Sequence, residues 1–270
     1  MMKRFVITVP IPQHYGFETY IDVEDLRPYA AKYWHYSVYL SIIYVAVIHY
    51  LQHYMKYRPA FDLRRATVYW NCALALFSIC CTVRGITALI YGIKYVPFYY
   101  MICDNTIYTR HKGFMFWTAL YLLSKVVEFG DTVLIVLRKR NLLFLHWYHH
   151  MATLIIIWYG AYREITFGYL ICYFNVFVHS FMYSYFALKA MNIKMPKKFA
   201  MFITTIQILQ MAWAVLTSCW VYWLIINNYE CDVSKEALDN VFLLVSSYLI
   251  LFCKLFYESY IKRCSRKKIN

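Results

Sequence analysis

The chain has 270 residues, of which 62% are hydrophobic, 21% are aromatic and only 16% are charged. Soluble domains usually carry about 25% charged residues, so this composition indicates a membrane protein and argues against a soluble globular class. The net charge of +14 could suggest nucleic-acid binding. In so apolar a chain, it is better explained by loops that face anionic lipid headgroups or an anionic substrate, so we expect no nucleic-acid partner.

Seven apolar stretches are each long enough to cross about 30 Å of hydrocarbon as a helix. In chain order they cover 37–54, 67–91, 115–137, 142–160, 165–187, 200–226 and 238–261. The second and third are the least certain because they contain Arg84 and Lys125, and we expect Arg84 to snorkel to the nearer interface. The sequence therefore predicts an all-α polytopic membrane protein with seven transmembrane helices, in which residues 1–270 form a single domain.

Lysine and arginine are concentrated in every second loop. The richer loops follow the first, third and fifth stretches, and the tail 262–270 is also basic. The positive-inside rule then places the segment 1–36 in a lumen and the tail in the cytosol. Lys267 and Lys268 stand fourth and third from the end, a spacing that resembles the dilysine signal for retrieval to the endoplasmic reticulum. We therefore expect a multi-pass protein of that membrane, with an ordinary basic tail as the alternative.

Most of the nine cysteines lie within the predicted spans, where they act as small apolar side chains. Cys103 and Cys231 stand apart, because both lie in loops assigned to the lumen. The lumen of the endoplasmic reticulum is oxidising. We therefore expect a Cys103–Cys231 disulfide, with two unpaired loop thiols as the alternative.

Polar side chains recur at helical spacing in four consecutive spans. Charged groups inside a span are functional candidates, because insertion scales assign each a cost of about 2.5–3.5 kcal/mol. The candidates are Lys125, Glu128 and Asp131; His146, His149 and His150; Asn175, His179 and Tyr183; and Gln207 and Gln210. At 1.5 Å per residue, the central ones lie ~10–15 Å from the cytosolic ends of their helices. Antiparallel helices thus bring them to one depth, which predicts a site; a purely structural polar network is the alternative.

Three kinds of protein fit this cluster. Imidazole suits iron, so a di-iron membrane desaturase or hydroxylase is one hypothesis, although such enzymes use more histidines than could gather here. In a second hypothesis, neutral imidazole is the nucleophile and base of an acyl transfer, a carboxylate orients its ring, and amides donate to an oxyanion. A seven-span receptor shares the topology, but its pocket would face the outer side. The residues alone leave these hypotheses open.

Four motifs, in order and in register, resemble those of the very-long-chain fatty acid elongases, the 3-ketoacyl-CoA synthases of the endoplasmic reticulum. They are KVVEFGDT, HWYHH, NVFVHSFMYSYF and TTIQILQ. The likeness runs from about DLRPY, at 25–29, to the tail, and is greatest to the subfamily that extends saturated and monounsaturated C12–C16 acyl-CoAs. Phe186 departs from the family pattern, which usually has a second tyrosine there.

The resemblance implies that acyl-CoA and malonyl-CoA condense to 3-ketoacyl-CoA, CO2 and CoA, with no metal and no other cofactor. It implies that six of the seven helices enclose a tunnel for the acyl chain. By motif, His149 matches the proposed acyl-imidazole nucleophile and His179 lies opposite it. The remaining catalytic candidates would orient groups or handle protons, with His149 or His150 left open as the acyl acceptor by helical spacing alone. They are His146, His150, Glu128 and Asp131.

The resemblance also implies partners and substrate contacts. A ketoacyl-CoA reductase, a hydroxyacyl-CoA dehydratase and an enoyl-CoA reductase would complete the cycle, and a homodimer is compatible with the family. Basic residues at the cytosolic mouth would bind the CoA phosphates or only set the topology. They are Arg138, Lys139, Arg140, Lys194, Lys197 and Lys198. The other expected substrate contacts are Lys125, Asn175, Tyr183, Gln207 and Gln210.

Overall fold

The computed structural model of the protein describes residues 15–19, 23–104, 108, 112–163 and 165–262, with the backbone alone for 23–27. Across these ranges the chain is helical and has no strand, which confirms the all-α class. The predicted retrieval signal at Lys267 and Lys268 lies outside the described residues, as do residues 1–14 and 20–22 of the predicted lumenal segment.

The helices follow one another with short connections. They are α1 (Val23–Tyr33), α2 (Tyr36–Met55), α3 (Arg64–Tyr95), α4 (Phe98–Cys103), α5 (Lys112–Val127), α6 (Phe129–Leu137), α7 (Phe144–Tyr162), α8 (Thr166–Ala190), α9 (Lys197–Ile226) and α10 (Lys235–Phe256). A 3-10 turn, Gly16–Thr19, precedes α1, and a π-helical turn, Tyr257–Ile261, follows α10. Four helices are long and apolar enough to cross a membrane: α3, α8, α9 and the continuous segment Lys235–Ile261.

Every predicted apolar stretch is helical, but the third one is interrupted. Residues 115–137 form α5 and α6, which meet at Glu128. Here the amide of Asp131 donates to the carbonyl of Glu128, an i→i−3 bond that tightens the first turn of α6. The interruption therefore falls among the polar residues that the sequence singles out.

Six parts of the chain form a closed ring of helices. Around the ring, α3 packs on α8, α8 on α9, α9 on α10, α10 on α7, α7 on α5, and α5 on α3. Helix α2 packs outside this ring, against α6 and α7. The interior of the ring is therefore lined by one face of each of these six helices.

The contact between α3 and α8 depends on a glycine. A Cβ atom built on Gly85 would lie 1.8 Å and 2.2 Å from carbons of the Tyr173 ring. Any larger residue at position 85 would push that ring away, because such distances are far inside van der Waals contact. Gly85 thus lets α3 and α8 run close together along the wall of the ring.

Arg84 makes an internal ion pair with the turn that precedes α1. Its guanidinium donates to both carboxylate oxygens of the fully buried Glu18, at 2.7 Å and 2.6 Å, and the indole of Trp117 donates to Glu18 at 2.8 Å. Glu18 thus supplies a counter-charge for Arg84 within the protein, and the snorkelling of Arg84 to the interface stays a prediction. Burial opposes ionisation of Glu18, but the hydrogen bonds from Arg84 and Trp117 outweigh it and lower the pKa of this carboxyl.

Cys103 and Cys231 form a disulfide, as their loop positions predict. The bond joins the end of α4 to the connection between α9 and α10, and the amide of Asp232 donates to the carbonyl of Cys103 at 2.9 Å beside it. This end of the bundle is opposite to Arg64, the first residue of α3, because the helix of 32 residues between them is about 48 Å long.

We expect Cys103→Ser and Cys231→Ser each to lower the midpoint of thermal unfolding in detergent. The bond links residues 128 positions apart, so it restricts the unfolded chain, and such bonds typically contribute 2–4 kcal/mol. The double variant should be no less stable than either single one. Cys219→Ser, at an exposed free cysteine, is the control. Additive losses, or midpoints equal to that of the control, would contradict a bond between these two residues.

Candidate active site

Two cavities lie inside the ring of helices and meet at its centre. The larger has a volume of about 780 Å³ and a partly polar wall; the smaller, about 170 Å³, is almost wholly apolar. Four residues line both of them: His149, Asn175, Gln210 and Met211. Three of the polar residues predicted from the sequence therefore stand at the junction between a polar space and an apolar one.

The four predicted histidines all line the larger cavity, and of these only His149 also lines the smaller one. The ring of His150 lies 4.6 Å from that of His146 and 5.7 Å from that of His149, measured between centroids. His146 Nε2 is 3.0 Å from the hydroxyl of Thr132, which also bonds the hydroxyl of Tyr44 at 2.6 Å. The three histidines of α7 thus form one wall, as their spacing predicts.

Asp131 is the centre of one hydrogen-bond cluster. Its Oδ1 accepts from the indole of Trp70 at 2.6 Å and its Oδ2 from the hydroxyl of Tyr183 at 2.8 Å. His150 Nε2 lies 3.9 Å from the same Oδ2. The structure therefore brings together the predicted Asp131, His150 and Tyr183, and adds Trp70 from α3.

The position of Trp70 depends on Gly130. A Cβ atom at this position would lie 2.4 Å and 2.6 Å from carbons of the Trp70 ring. Because the indole is rigid, only a glycine allows it to lie flat on α6 and reach the carboxylate of Asp131. The glycine of EFGDT is thus required by the packing of a neighbouring helix.

Glu128 is the centre of a second, more deeply buried cluster. Its Oε1 accepts from Lys125 Nζ at 2.8 Å and from the hydroxyl of Ser124 at 3.1 Å. Lys125 and Glu128 line neither cavity, and only 2% and 3% of their surfaces are exposed. Lys125 therefore neutralises Glu128 in place of the substrate contact that the sequence suggests.

This cluster reaches the cavity through Asn175 and His179. Lys125 Nζ and the hydroxyl of Tyr121 both donate to Asn175 Oδ1, at 3.1 Å and 3.0 Å. The amide nitrogen of Asn175 therefore donates to His179 Nε2, at 3.2 Å. His179 Nδ1 then carries a hydrogen and faces Glu128 Oε2, 3.9 Å away. That oxygen is buried and has no hydrogen-bond partner within the described part of the chain.

The predicted glutamines and the divergent phenylalanine also line the larger cavity. Gln207 donates to the sulfur of Met182 at 3.6 Å, and Gln210 is almost completely buried at the junction. Phe186 is partly exposed and lies in the wall of the larger cavity, in the same face of α8 as Met182.

Only part of the predicted basic cluster reaches the larger cavity. Arg138 and Arg140 line it, whereas the remaining four do not: Lys139, Lys194, Lys197 and Lys198. Lys139 instead donates to the carbonyl of Lys56 at 3.3 Å. Arg64 and Lys189, which belong to the basic loops after the first and fifth apolar stretches, also line the cavity. Their loop positions were the available signal, but the direction of their side chains depends on how the helices pack.

Sequence reasoning also missed the uncharged residues that hold the histidines. Besides Trp70 they are Tyr44, Thr132, Thr153 and Tyr248. Among the described residues, no three His, Cys, Asp or Glu side chains are placed to hold one metal ion. His49 and His53 are exposed on α2 and line neither cavity.

Comparison with known proteins gives the family. The pattern described as ELO: GNS1/SUR4 family matches residues 29–268. The chain belongs to this family. This ELO protein is 38% identical to the human protein named very long chain fatty acid elongase 3, over 93% of this chain and 91% of the relative. It is 36% identical to mouse very long chain fatty acid elongase 6, over 98% of each, and 36% identical to the Caenorhabditis elegans putative fatty acid elongase 3, over 93% and 78%. The resemblance to the very-long-chain fatty acid elongases is therefore confirmed.

We expect Gly130→Ala to destabilise the ELO protein by about 1–3 kcal/mol, the usual cost of overpacking, and to separate Trp70 from Asp131. Adding Trp70→Phe should restore most of the stability, since a smaller ring leaves room for the methyl group. Gly16→Ala is the control, because nothing lies within 4 Å of a Cβ atom there. Thermal unfolding in detergent measures both effects. Equal midpoints for Gly130→Ala and the control would show that the contact is not tight.

Proposed function

We propose that this protein is a fatty acid elongase that condenses acyl-CoA with malonyl-CoA, giving 3-ketoacyl-CoA, CO2 and free CoA. The observation that carries the proposal is the place of His149, where a polar cavity meets an apolar one. Membership of the ELO family and relatives named as very long chain fatty acid elongases support the same activity.

The two cavities match the two halves of an acyl-CoA. An acyl chain fits the apolar walls of the smaller cavity, which include Ile156, Ile157 and Leu244. The CoA moiety fits the larger cavity, where four cationic side chains can neutralise its phosphates. These are Arg64, Arg138, Arg140 and Lys189. The thioester that joins the halves then lies at the junction, beside His149.

In the first half-reaction, one ring nitrogen of His149 attacks the thioester carbon. The carbon–sulfur bond breaks, CoA leaves as a thiolate, and a neutral imidazole becomes an acyl-imidazolium, so charge is conserved. The side-chain amide of Gln210 lies at the junction and can donate a hydrogen bond to the oxyanion of the intermediate. The thiolate takes a proton from solvent in the larger cavity.

In the second half-reaction, malonyl-CoA occupies the larger cavity and loses CO2. The carbanion attacks the acyl carbon, the carbon–nitrogen bond breaks, and the imidazole returns to its neutral form. His146 and His150 face the same cavity and can hold the malonyl carboxylate or relay protons, with Asp131 beside His150. Opposite them, His179 lines the same cavity and is held by Asn175 and Glu128.

We propose that all seven helical stretches cross the membrane, counting α5 and α6 as one interrupted span. The disulfide supports a lumenal position for its end of the bundle, because disulfides persist in oxidising compartments. The basic mouth of the larger cavity lies at the opposite end, which the positive-inside rule assigns to the cytosol. With the retrieval signal expected in the tail, this orientation fits the endoplasmic reticulum membrane, with a lumenal N-terminus.

We also propose that the site works without a resident metal or organic cofactor. Hydroxyl or amide groups already bond one ring nitrogen each of His146, His149 and His179. The 3-ketoacyl-CoA product would pass to a ketoacyl-CoA reductase, then to a hydroxyacyl-CoA dehydratase and an enoyl-CoA reductase, because these reactions remove the keto group.

We expect purified protein to incorporate radiolabelled malonyl-CoA into a product two carbons longer than an added C12–C20 acyl-CoA. With acyl-CoA alone, intact mass should show an acyl adduct, and His149→Ala should abolish both the adduct and the product. His49→Ala is the matched control, since His49 is exposed and lines neither cavity. An unchanged adduct in His149→Ala would assign the acyl group to another residue. Iron in stoichiometric amount, lost with His149, would favour the desaturase hypothesis.

We expect Arg64→Gln and Arg138→Gln to raise the KM for malonyl-CoA several-fold with little change in kcat. Their charges line the larger cavity and would contact phosphates far from the reacting carbon. The difference in KM between each variant and the unmodified protein should shrink at high salt. Salt screens the attraction between the CoA phosphates and the arginines of the unmodified protein, so that less is lost on substitution. Arg58→Gln, at an exposed position outside the cavity, is the control. If the variants and the unmodified protein have equal KM values at low salt, the CoA phosphates do not bind at Arg64 and Arg138.

A further inference from the structure

We propose that Thr153 and Tyr248 are positioning residues that fix the tautomer of His149 and make Nε2 the nitrogen that takes the acyl group. The inference rests on the proposed function, because it assigns the nucleophilic atom of that reaction. Two hydrogen bonds connect α7 with α10 at this point, a third lies within α7, and few hydrogens are available to make them.

The three residues form a closed set of contacts. The hydroxyl of Tyr248 lies 3.1 Å from the backbone carbonyl oxygen of His149 and 2.9 Å from the hydroxyl of Thr153. The Thr153 hydroxyl lies 3.4 Å from His149 Nδ1. Tyr248 and Thr153 are buried, and the rings of Tyr248 and His149 are 4.8 Å apart. All three residues line the smaller cavity, at its boundary with the larger one.

The hydrogens in this set can be assigned by elimination. A carbonyl oxygen only accepts, so the single hydroxyl hydrogen of Tyr248 is directed to the carbonyl of His149. The bond between the two hydroxyls therefore uses the hydrogen of Thr153, and Tyr248 accepts it. The oxygen of Thr153 then has only lone pairs to offer to His149 Nδ1. Nδ1 must carry the ring hydrogen, which leaves the lone pair of the neutral imidazole on Nε2.

This arrangement suits the chemistry of acyl transfer. Attack through Nε2 creates an acyl-imidazolium whose remaining N–H is on Nδ1, and Thr153 accepts from it. A hydrogen bond from a cation is about twice as strong as one between neutral groups, so this contact strengthens as the charge develops. Catalytic hydrogen bonds are often long before the substrate binds, which fits the 3.4 Å distance.

The neighbouring histidines are held differently. His179 accepts from Asn175 through Nε2, so the lone pair of that nitrogen is already in use. His146 directs its Nε2 to Thr132. His150 lies near the carboxylate of Asp131, whose charge favours a hydrogen on the Nε2 that faces it. The assignment therefore selects His149 over His150, which helical spacing alone could not do.

The test compares variants in single-turnover acylation, followed by intact mass after mixing purified protein with acyl-CoA. We expect Thr153→Val, which keeps the shape and removes the hydroxyl, to slow acylation about 10–100-fold, as for metal-bound histidines that lose the partner of their outer ring nitrogen. Thr153→Ser should retain most of the rate, and Tyr248→Phe should lose less than Thr153→Val. In all three variants the KM for acyl-CoA should stay within about twofold of that of the unmodified protein, because the His149 ring is mispositioned but the cavity that binds the substrate is kept.

A spectroscopic measurement separates positioning from a general structural defect. In protein labelled with 15N-histidine, and with signals assigned through His149→Gln, the His149 ring should carry its hydrogen on Nδ1. In Thr153→Val the hydrogen should be shared between Nδ1 and Nε2. Thr82→Val and Tyr173→Phe remove partly buried hydroxyls that bond Ser180 and the carbonyl of Phe114, outside both cavities, and should change neither the rate nor the spectrum.

The outcomes distinguish this inference from the proposed function. If the unmodified protein acylates but Thr153→Val does so at the same rate with the same tautomer, the positioning role is wrong and the elongase activity stands. If the unmodified protein forms no adduct and no product, the proposed function itself fails. If Thr153→Val does not fold, Tyr248→Phe decides, because an unchanged His149 tautomer and an unchanged rate in that variant would overturn the relay.

Discussion

Lys125 and Glu128 carry opposite charges inside the ring of helices, 2.8 Å apart and almost without exposed surface. Placing two charges there costs several kcal/mol per ion unless their remaining hydrogen-bonding capacity is also used. Ser124 and Asn175 provide those bonds. Because Lys125 occupies the oxygen of Asn175, the amide nitrogen of Asn175 can only turn to His179. The buried ion pair thus sets the orientation of His179 through Asn175, and Glu128 Oε2 lies 3.9 Å from the other nitrogen of the same ring.

The same organisation recurs around the other histidines. An uncharged hydroxyl contacts one ring nitrogen of His146 and of His149, and a second hydroxyl from another helix holds the first in place. Tyrosines supply that second hydroxyl in both cases, from α2 at His146 and from α10 at His149. A histidine ring that is held from two helices cannot rotate freely. The site therefore keeps its geometry while substrates enter and leave the cavity.

The interruption at Glu128 and the glycine that follows connect the two buried clusters. An uninterrupted helix would carry Glu128 and Asp131 along one regular stripe, as their threefold spacing predicts. The tighter turn at the start of α6 places Asp131 beside Trp70 and His150, while Glu128 faces Lys125 and His179. One carboxylate therefore stays with the α7 histidines in the wall of the larger cavity, and the other stays with the α8 histidine, buried outside the cavity.

The sequence by itself determined the helices and most of the polar residues at the site. Apolar length fixes where helices form, because backbone groups in a lipid-facing chain must bond within their own segment, and helical spacing puts the three histidines of α7 on one wall. Only the tertiary structure decided which ring nitrogens are engaged, which arginines reach the cavity, and that His149 stands between two cavities. Those features depend on side chains from different helices, such as Trp70 and Tyr248, whose approach is set by packing and leaves no periodic signal in the chain.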